Sequence, residues 1–191
     1  MMAEHDQVRE SKLYYENGNP MRHEFYLNGK LEGERKFWYG NGNLAISSFF
    51  RDGKLHGCQT NYYPNGNTRI REFFHDDKQE GEHKVYYDNG RVYSRTFYRN
   101  ELINGWRQFW CQNGLPDEFQ LYRDNYCEGE CKSWNSNGSL KIYQYYRDGE
   151  YISNLTLKKK FAILTIRKRL YRHLFTSAID SHIIPDLLSI I

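Results

Sequence analysis

The first 150 residues of this chain contain little of the alanine and leucine that usually fill helical bundles. Aromatic residues instead make up 17% of the sequence, with 17 tyrosines and 11 phenylalanines. This composition favours pleated sheet over packed helices. The chain also lacks an apolar run near the roughly 18 residues that a membrane-spanning helix needs. We therefore expect no transmembrane segment.

Cysteine is rare as well. The four cysteines, Cys58, Cys111, Cys127 and Cys131, form no Cys-x-x-Cys pair and have no histidines at zinc-finger spacing. Such a pattern indicates neither a disulfide framework nor a structural metal site, so all four are predicted to be free thiols. The start of the chain lacks the basic and apolar segments of a secretory signal, and we therefore expect a reducing, cytoplasmic compartment.

Catalytic motifs are missing too. The seven histidines are scattered, and the sequence has no His-Glu-x-x-His, no Gly-x-Ser-x-Gly and no glycine-rich phosphate-binding loop. We therefore expect a protein that is not an enzyme, needs no cofactor or metal and takes no small-molecule substrate.

Net charge is distributed unevenly along the chain. The formal charge is +3, but residues 151–191 hold seven Lys or Arg against two Asp, a balance of +5, which leaves −2 on the first 150 residues. A nucleic-acid-binding protein carries its basic surface along the main body of the fold. Nucleic acid is therefore not expected as a partner.

A 24-residue period organises most of the chain. The dipeptide Asn-Gly recurs six times at intervals of 24 residues, which is typical of a repeat array. An aromatic residue stands three positions before each Asn. The glycines of these dipeptides are Gly18, Gly42, Gly66, Gly90, Gly114 and Gly138, and the aromatic residues are Tyr14, Trp38, Tyr62, Tyr86, Trp110 and Trp134.

Two further features share this period. A pair of apolar residues, such as Phe49-Phe50, is followed by a polar turn sequence, and a single glycine comes a few residues later. The turn sequences are Asn28-Gly29, Asp52-Gly53, Asp76-Asp77, Asn100-Glu101, Asp124-Asn125 and Asp148-Gly149, and the single glycines are Gly33, Gly57, Gly81, Gly105 and Gly129.

Both dipeptide series predict hairpin turns. A two-residue type I′ turn needs positive φ at both central positions, which Asn, Asp and Gly adopt at low cost. The sequence therefore predicts an all-β repeat fold, a single elongated, twisted antiparallel meander of about twelve strands in six hairpins. The single glycine of each unit is predicted to host a β-bulge or to let an aromatic ring lie across the backbone.

Neighbouring aromatic residues point to opposite faces of a strand, so both faces of the predicted sheet carry rings. On one face, the rings are predicted to stack from repeat to repeat and to form the core of a thin array. The rings on the other face are either a binding surface or a means of cross-strand stabilisation. The residues assigned to this aromatic ladder are Tyr14, Trp38, Tyr62, Tyr86, Trp110, Trp134, Phe49, Phe73, Phe97 and Tyr145.

The segment from Phe25 to Glu34, Phe-Tyr-Leu-Asn-Gly-Lys-Leu-Glu-Gly-Glu, resembles the MORN repeat, in particular its longer antitoxin-like variant. Members of this family serve as protein-binding or membrane-associated scaffolds, and similar repeats are abundant in large DNA viruses. The resemblance implies a non-enzymatic scaffold with protein partners in a large assembly. A structural role in a virion, such as a minor capsid protein, is one form of this function and would make the virus particle the alternative location to the cytoplasm. Antitoxin-like binding is another form.

The later units depart from the repeat pattern. Asn100-Glu101 and Asp124-Asn125 replace Asp-Gly, and Leu115-Pro116 follows the fifth Asn-Gly. Cys127 takes the position that leucine or isoleucine holds in other units, which indicates a small apolar filler.

We divide the chain into a lead-in over residues 1–13, the array over 14–150 and a basic tail over 151–191. Within the tail, residues 156–175 show the apolar spacing of an amphipathic helix. This helix caps the open edge of the array, docks onto an acidic partner protein or attaches to an anionic membrane, and the sequence leaves these alternatives open. The residues assigned to partner or membrane contact are Lys158, Lys159, Lys160, Arg167, Lys168, Arg169 and Arg172.

Overall fold

The computed structural model describes residues 7–153, which form one antiparallel β-sheet without an α-helix. Its strands, in chain order, are β1 Val8–Tyr14, β2 Pro20–Leu27, β3 Lys30–Leu31, β4 Gly33–Trp38, β5 Leu44–Arg51, β6 Lys54–Leu55, β7 Gly57–Tyr62, β8 Thr68–His75, β9 Lys78–Gln79, β10 Gly81–Tyr86, β11 Val92–Arg99, β12 Leu102–Trp110, β13 Pro116–Arg123, β14 Tyr126–Trp134, β15 Leu140–Arg147 and β16 Glu150–Ser153.

The strands cross the sheet in the order in which they occur along the chain, from β1 to β16. The two-residue strands β3, β6 and β9 pair with β2, β5 and β8 beside this path. The predicted antiparallel meander is thus confirmed. There are sixteen strands rather than about twelve, because bulges divide three strands in two and because β1 begins at Val8, ahead of the first Asn-Gly turn.

The turns at one end of the strands are of type I′, as predicted. The φ angles are 52° and 80° in Asp52-Gly53 and 49° and 68° in Asp76-Asp77. Asn100-Glu101 has φ angles of 48° and 65°, so the loss of the glycine leaves the turn type unchanged. Each turn is also tied to the preceding unit, for example through Gly53 N, which donates to the Leu31 carbonyl at 2.8 Å.

The Asn-Gly turns at the other end of the strands are not of type I′, so the prediction was wrong on this point. Only the glycine has positive φ, between 80° and 90°. In the first loop, Gly18 N donates to Tyr15 O at 2.9 Å and Tyr15 N donates to Asn19 O at 2.8 Å, which defines a type I turn followed by a left-handed glycine. The Asn17 side chain accepts the Asn19 N–H at 3.0 Å. Asparagine serves here as a side-chain acceptor and does not adopt a left-handed backbone.

The single glycine of each unit hosts a β-bulge, as predicted. On β14, Cys127 lies opposite Tyr122 and Cys131 lies opposite Gln120, so the three residues around Gly129 face one residue of β13. Gly129 has a φ of 96°, where a side chain with a Cβ costs about 1–2 kcal/mol. The bulge therefore explains why glycine recurs at this position.

A single sheet buries few side chains completely. Apart from Gly129, the buried described residues are mostly polar and are Glu24, Ser48, Ser94, Thr96, Cys131 and Tyr143. Cross-strand pairs within the sheet, rather than packing between two layers, therefore provide most of the contacts in this part of the chain. The chain separates into two compact parts, Met1–Ser153 and Asn154–Ile191. The predicted tail helix lies outside the described residues.

Candidate functional site

The cross-strand register assigns the side chains in the middle of the strands to two faces, because successive residues point to opposite sides. The Glu24 face carries a column with a 24-residue spacing, made of Glu24, Ser48, Glu72, Thr96, Gln120 and Gln144. The Phe49 face carries the adjacent column, made of Phe25, Phe49, Phe73, Phe97, Leu121 and Tyr145.

The Glu24 face carries buried polar groups that are bonded within a strand as well as between strands. Glu24 is almost fully buried, and its carboxylate accepts a hydrogen bond from the Tyr26 hydroxyl at 2.9 Å and lies 3.2 Å from Arg22 Nε. Two units later, Glu72 accepts a bond from the Gln59 side-chain amide at 3.0 Å. Since buried polar groups need such partners, Glu24 and Glu72 have a structural role.

Pairs of glutamate and lysine flank the rings of the Phe49 face. In four units, a lysine forms an ion pair with a glutamate two residues earlier, with N–O distances of 2.7 to 2.9 Å. The same glutamates are also hydrogen-bonded to a side chain of the next strand. The four pairs are Glu10–Lys12, Glu34–Lys36, Glu82–Lys84 and Glu130–Lys132.

Glu82 shows the electrostatics of these pairs. Burial raises the pKa of its carboxyl, but hydrogen bonds from Lys84 and Arg95 lower the pKa by more, so that it falls below the ordinary value of 4.5. Arg95 Nε donates to the carboxylate at 2.7 Å, and its guanidinium lies 4.7 Å from the centre of the Trp106 ring. The charged row is thereby joined to an aromatic ring of the next unit.

Phe49 and Phe97 are the most exposed rings of the central column on the Phe49 face, with 43% and 38% of their surface accessible. The Phe97 ring packs edge-on against Trp106 with ring centres 5.5 Å apart. A Cβ on Gly57 would lie 3.6 Å from the Phe49 Cβ, so this aromatic residue sits beside the bulge glycine. A stack that runs without interruption through all ten ladder residues stays a prediction.

The aromatic residues before the Asn-Gly loops have a role that the sequence analysis missed. The Tyr15 hydroxyl donates to the backbone carbonyl of Trp38 at 2.7 Å, and the Tyr39 hydroxyl donates to that of Tyr62 at 2.6 Å. The sequence signal for this role was a tyrosine that recurs every 24 residues, directly after an aromatic residue assigned to the ladder. The same bond occurs twice more, from Tyr63 to Tyr86 and from Tyr87 to Trp110.

Asparagine side chains add a second link between neighbouring loops. Asn17 and Asn19 both donate to the Gly40 carbonyl, at 2.8 and 2.9 Å. In the fourth unit, Arg91 takes the place of the second asparagine and donates to the Gln112 carbonyl at 3.0 Å. These bonds join the Asn-Gly loops of neighbouring repeats at the start of the array.

The described residues contain no group of three or more His, Cys, Asp or Glu side chains that could hold a metal ion. Within residues 7–153, no helix has the length and apolar character needed to cross a bilayer. The basic residues predicted for partner or membrane contact, from Lys158 to Arg172, lie outside the described residues.

Comparison with known families identifies the repeats. A family model described as a MORN repeat variant matches residues 10–28, 31–52, 55–76, 79–100 and 128–148, which together make up more than half of the chain. The chain belongs to the MORN repeat family. MORN repeats are generally non-enzymatic modules that mediate binding to proteins or membranes. A search of curated proteins gives no match.

One MORN unit lies outside the family match, which leaves residues 101–127 uncovered. The sequence departs from the repeat there, at Asn100-Glu101, Leu115-Pro116 and Asp124-Asn125. The sheet nevertheless continues through β12 and β13, and Trp110 lies opposite Pro116 as Trp38 lies opposite Leu44. The fold of the MORN unit is therefore retained where its sequence pattern weakens.

Proposed function

We propose that this MORN protein is a non-enzymatic scaffold that binds other proteins through its Phe49 face. The observation that carries the proposal is the row of half-exposed rings at the spacing of the repeat, in which Phe49 and Phe97 are the most exposed. Exposed apolar patches rimmed by polar residues are typical of interaction surfaces. Aromatic side chains also contribute much of the binding energy at protein interfaces.

The sheet offers a partner evenly spaced anchors. Phe49 on β5 and Phe97 on β11 lie two units apart, with Phe73 between them on β8. Because neighbouring strands are about 4.8 Å apart, the two exposed rings are separated by roughly 19 Å. An interface of ordinary size, about 800 Å² on each partner, spans this distance. One partner domain could therefore cover both rings.

The glutamate-paired lysines beside the rings favour a protein partner over an anionic membrane. Membrane attachment relies on basic side chains that are free to meet lipid headgroups. Lys36 and Lys84 instead pair with Glu34 and Glu82 at 2.7 and 2.9 Å. A face with exposed rings and locally neutralised charges is better suited to a protein surface.

The test compares three forms of the full chain as immobilised bait in an extract of the native source. The double variant Phe49→Ser/Phe97→Ser removes both rings. Ile142→Ser is the matched control, because Ile142 is 43% exposed like Phe49 but lies on the Glu24 face. We expect the double variant to capture at least tenfold less of the proteins that the unchanged chain and Ile142→Ser capture, as measured by quantitative mass spectrometry.

Equal capture by all three forms would contradict the proposal. Urea unfolding of each variant checks that the sheet is intact, since a double variant that no longer folds would lose partners for a trivial reason. In that case, Phe49→Thr/Phe97→Thr, which keeps a strand-favouring β-branched side chain at both positions but still removes both rings, is used in its place.

A membrane-tethering function is the second candidate, because residues 151–191 carry a net charge of +5. It is tested by flotation with vesicles that contain anionic lipid, with and without residues 156–191. Salt-sensitive binding that is lost on truncation would favour tethering, and no binding of either form would favour the protein scaffold.

Narrower forms of the scaffold function rest on the resemblance alone. A structural role in a virus particle predicts that the chain is present in purified particles at a fixed ratio to the other particle proteins. An antitoxin-like role predicts instead a co-expressed toxin that binds the chain tightly.

A further inference from the structure

Two cysteines flank the bulge of the fifth unit. Cys127 and Cys131 lie on β14 on either side of Gly129, and their Sγ atoms are 3.8 Å apart. Both are free thiols. The two positions hold no cysteine in the earlier units, where the residues are Leu31 and Arg35, Leu55 and Gln59, Gln79 and His83, and Ile103 and Arg107. Both positions therefore change to cysteine together, in one unit.

The bulge is what brings the two thiols together. Four residues apart on a regular strand, their Cα atoms would be separated by roughly 13 Å, far beyond disulfide range. Cys127 and Cys131 instead lie opposite Tyr122 and Gln120, which are only two residues apart. This register reduces the Cα separation to roughly 6.6 Å, within the usual upper limit of about 6.8 Å for a disulfide.

We propose that Cys127 and Cys131 are an oxidative modification site, at which hydrogen peroxide converts the two thiols into a disulfide across the bulge. The sulfur of one cysteine attacks peroxide, so that an S–O bond forms, the O–O bond breaks and water leaves. The second sulfur then attacks the resulting sulfenic acid, so that the S–S bond forms, the S–O bond breaks and a second water takes up the remaining thiol proton. Two electrons pass from the sulfurs to one molecule of peroxide.

The surroundings of the two thiols set the order of the steps. Cys131 is buried, with 7% of its surface accessible, whereas Cys127 is partly exposed. Burial, followed by the neighbouring Cys127 sulfur, raises the pKa of the Cys131 thiol to about 12. Peroxide therefore reacts first at Cys127, and Cys131 resolves the sulfenic acid. Closing the bond from 3.8 Å to about 2.05 Å requires side-chain rotation at the two cysteines.

The test is made on the full chain and is read out by tryptic digestion. Trypsin cleaves after Arg123 and after Lys132, so both cysteines lie in one peptide. The folded protein is treated with peroxide, denatured, alkylated and digested. We expect this peptide to lose two hydrogens and to take up no alkylating reagent, and we expect a thiol reductant to restore both thiols.

Single variants test the order of the steps. In Cys131→Ser, the sulfenic acid at Cys127 cannot be resolved and should be trapped by dimedone, whereas in Cys127→Ser the remaining Cys131 should stay alkylatable. The double variant Cys58→Ser/Cys111→Ser is the control and should form the disulfide like the unchanged chain. Free glutathione, treated in parallel, shows that the peroxide is active. The proposal would be overturned if both thiols of the folded protein stayed alkylatable under conditions that oxidise glutathione. It would also be overturned if each sulfur were oxidised separately to a sulfinic or sulfonic acid.

Discussion

At the scale of single residues, the tyrosine hydroxyls that join consecutive units make a measurable contribution. Tyr39→Phe removes the bond to the Tyr62 carbonyl and leaves the ring in place. We expect the free energy of unfolding to fall by about 0.5–1.5 kcal/mol, the usual net value of such a bond, in urea titrations. Tyr126→Phe is the control, because this side chain is 64% exposed and has no hydrogen bond among the described residues. Equal effects of both substitutions would contradict the assignment.

The fifth unit allows the reverse experiment. Cys111 occupies the position of Tyr15, Tyr39, Tyr63 and Tyr87, so the carbonyl of Trp134 lacks the hydroxyl that the earlier units supply. Cys111→Tyr should therefore raise the free energy of unfolding by an amount similar to the loss in Tyr39→Phe. A decrease would mean that the fifth unit does not reproduce the spacing between units.

The bulge glycines are a second feature at this scale. Gly57 has a φ of 97°, and an added Cβ would meet the Phe49 Cβ at 3.6 Å. Because the space is sufficient, the cost of Gly57→Ala comes from the left-handed backbone, and we expect a loss of about 1–2 kcal/mol in the free energy of unfolding. Gly40→Ala is the matched control, since Gly40 does not have positive φ and an added Cβ has nothing within 4 Å. A comparable loss in both variants would refute this explanation.

At the scale of the strands, the charged pairs make stability depend on pH. The pKa of Glu82 is lower in the folded chain than its ordinary value of 4.5, so its contribution to stability is complete above pH 4.5 and is lost as the pH falls through the folded pKa. Glu82→Gln should therefore be less stable than the unchanged chain at pH 7, and the difference should shrink as the pH falls below 4.5. Urea titrations at several pH values measure this. Glu101→Gln, at an exposed turn, is the control for the substitution itself.

The strands and their ends were accessible from the sequence because they depend on local chemistry. The aromatic-rich composition between regularly spaced turns predicted strands, Asp52-Gly53 predicted a type I′ turn, and the recurring Gly129 series predicted bulges. The type of the Asn-Gly turns was predicted wrongly, because Asn tolerates positive φ and also caps a backbone N–H two residues on. The sequence of Asn17-Gly18 does not say which of these properties is used.

The links between units were not predicted, because they join residues 21 to 23 positions apart. Tyr15 looks like another strand aromatic until the neighbouring strand places the Trp38 carbonyl at its hydroxyl. The sequence also did not predict which face of the sheet carries the exposed rings. The exposure of Phe49 depends on the register between β4 and β5 as well as on its own residue type.

At the scale of the whole described sheet, each unit contacts only the units before and after it. Stability in such an array is close to a sum of unit and neighbour contributions. A substitution in one unit should therefore weaken that unit and its neighbours first. For a scaffold, this arrangement spaces binding rings at a fixed interval along the sheet.

The central claim is that one 24-residue unit folds into the same hairpin six times within a single sheet. Amide hydrogen exchange followed by NMR tests it most directly. We predict slow exchange in the long strands and fast exchange at the loop positions around residues 16–17, with this pattern repeated every 24 residues and extending through the fifth unit. Slow amide exchange at the Asn-Gly turns, or an exchange pattern without the 24-residue period, would contradict the account.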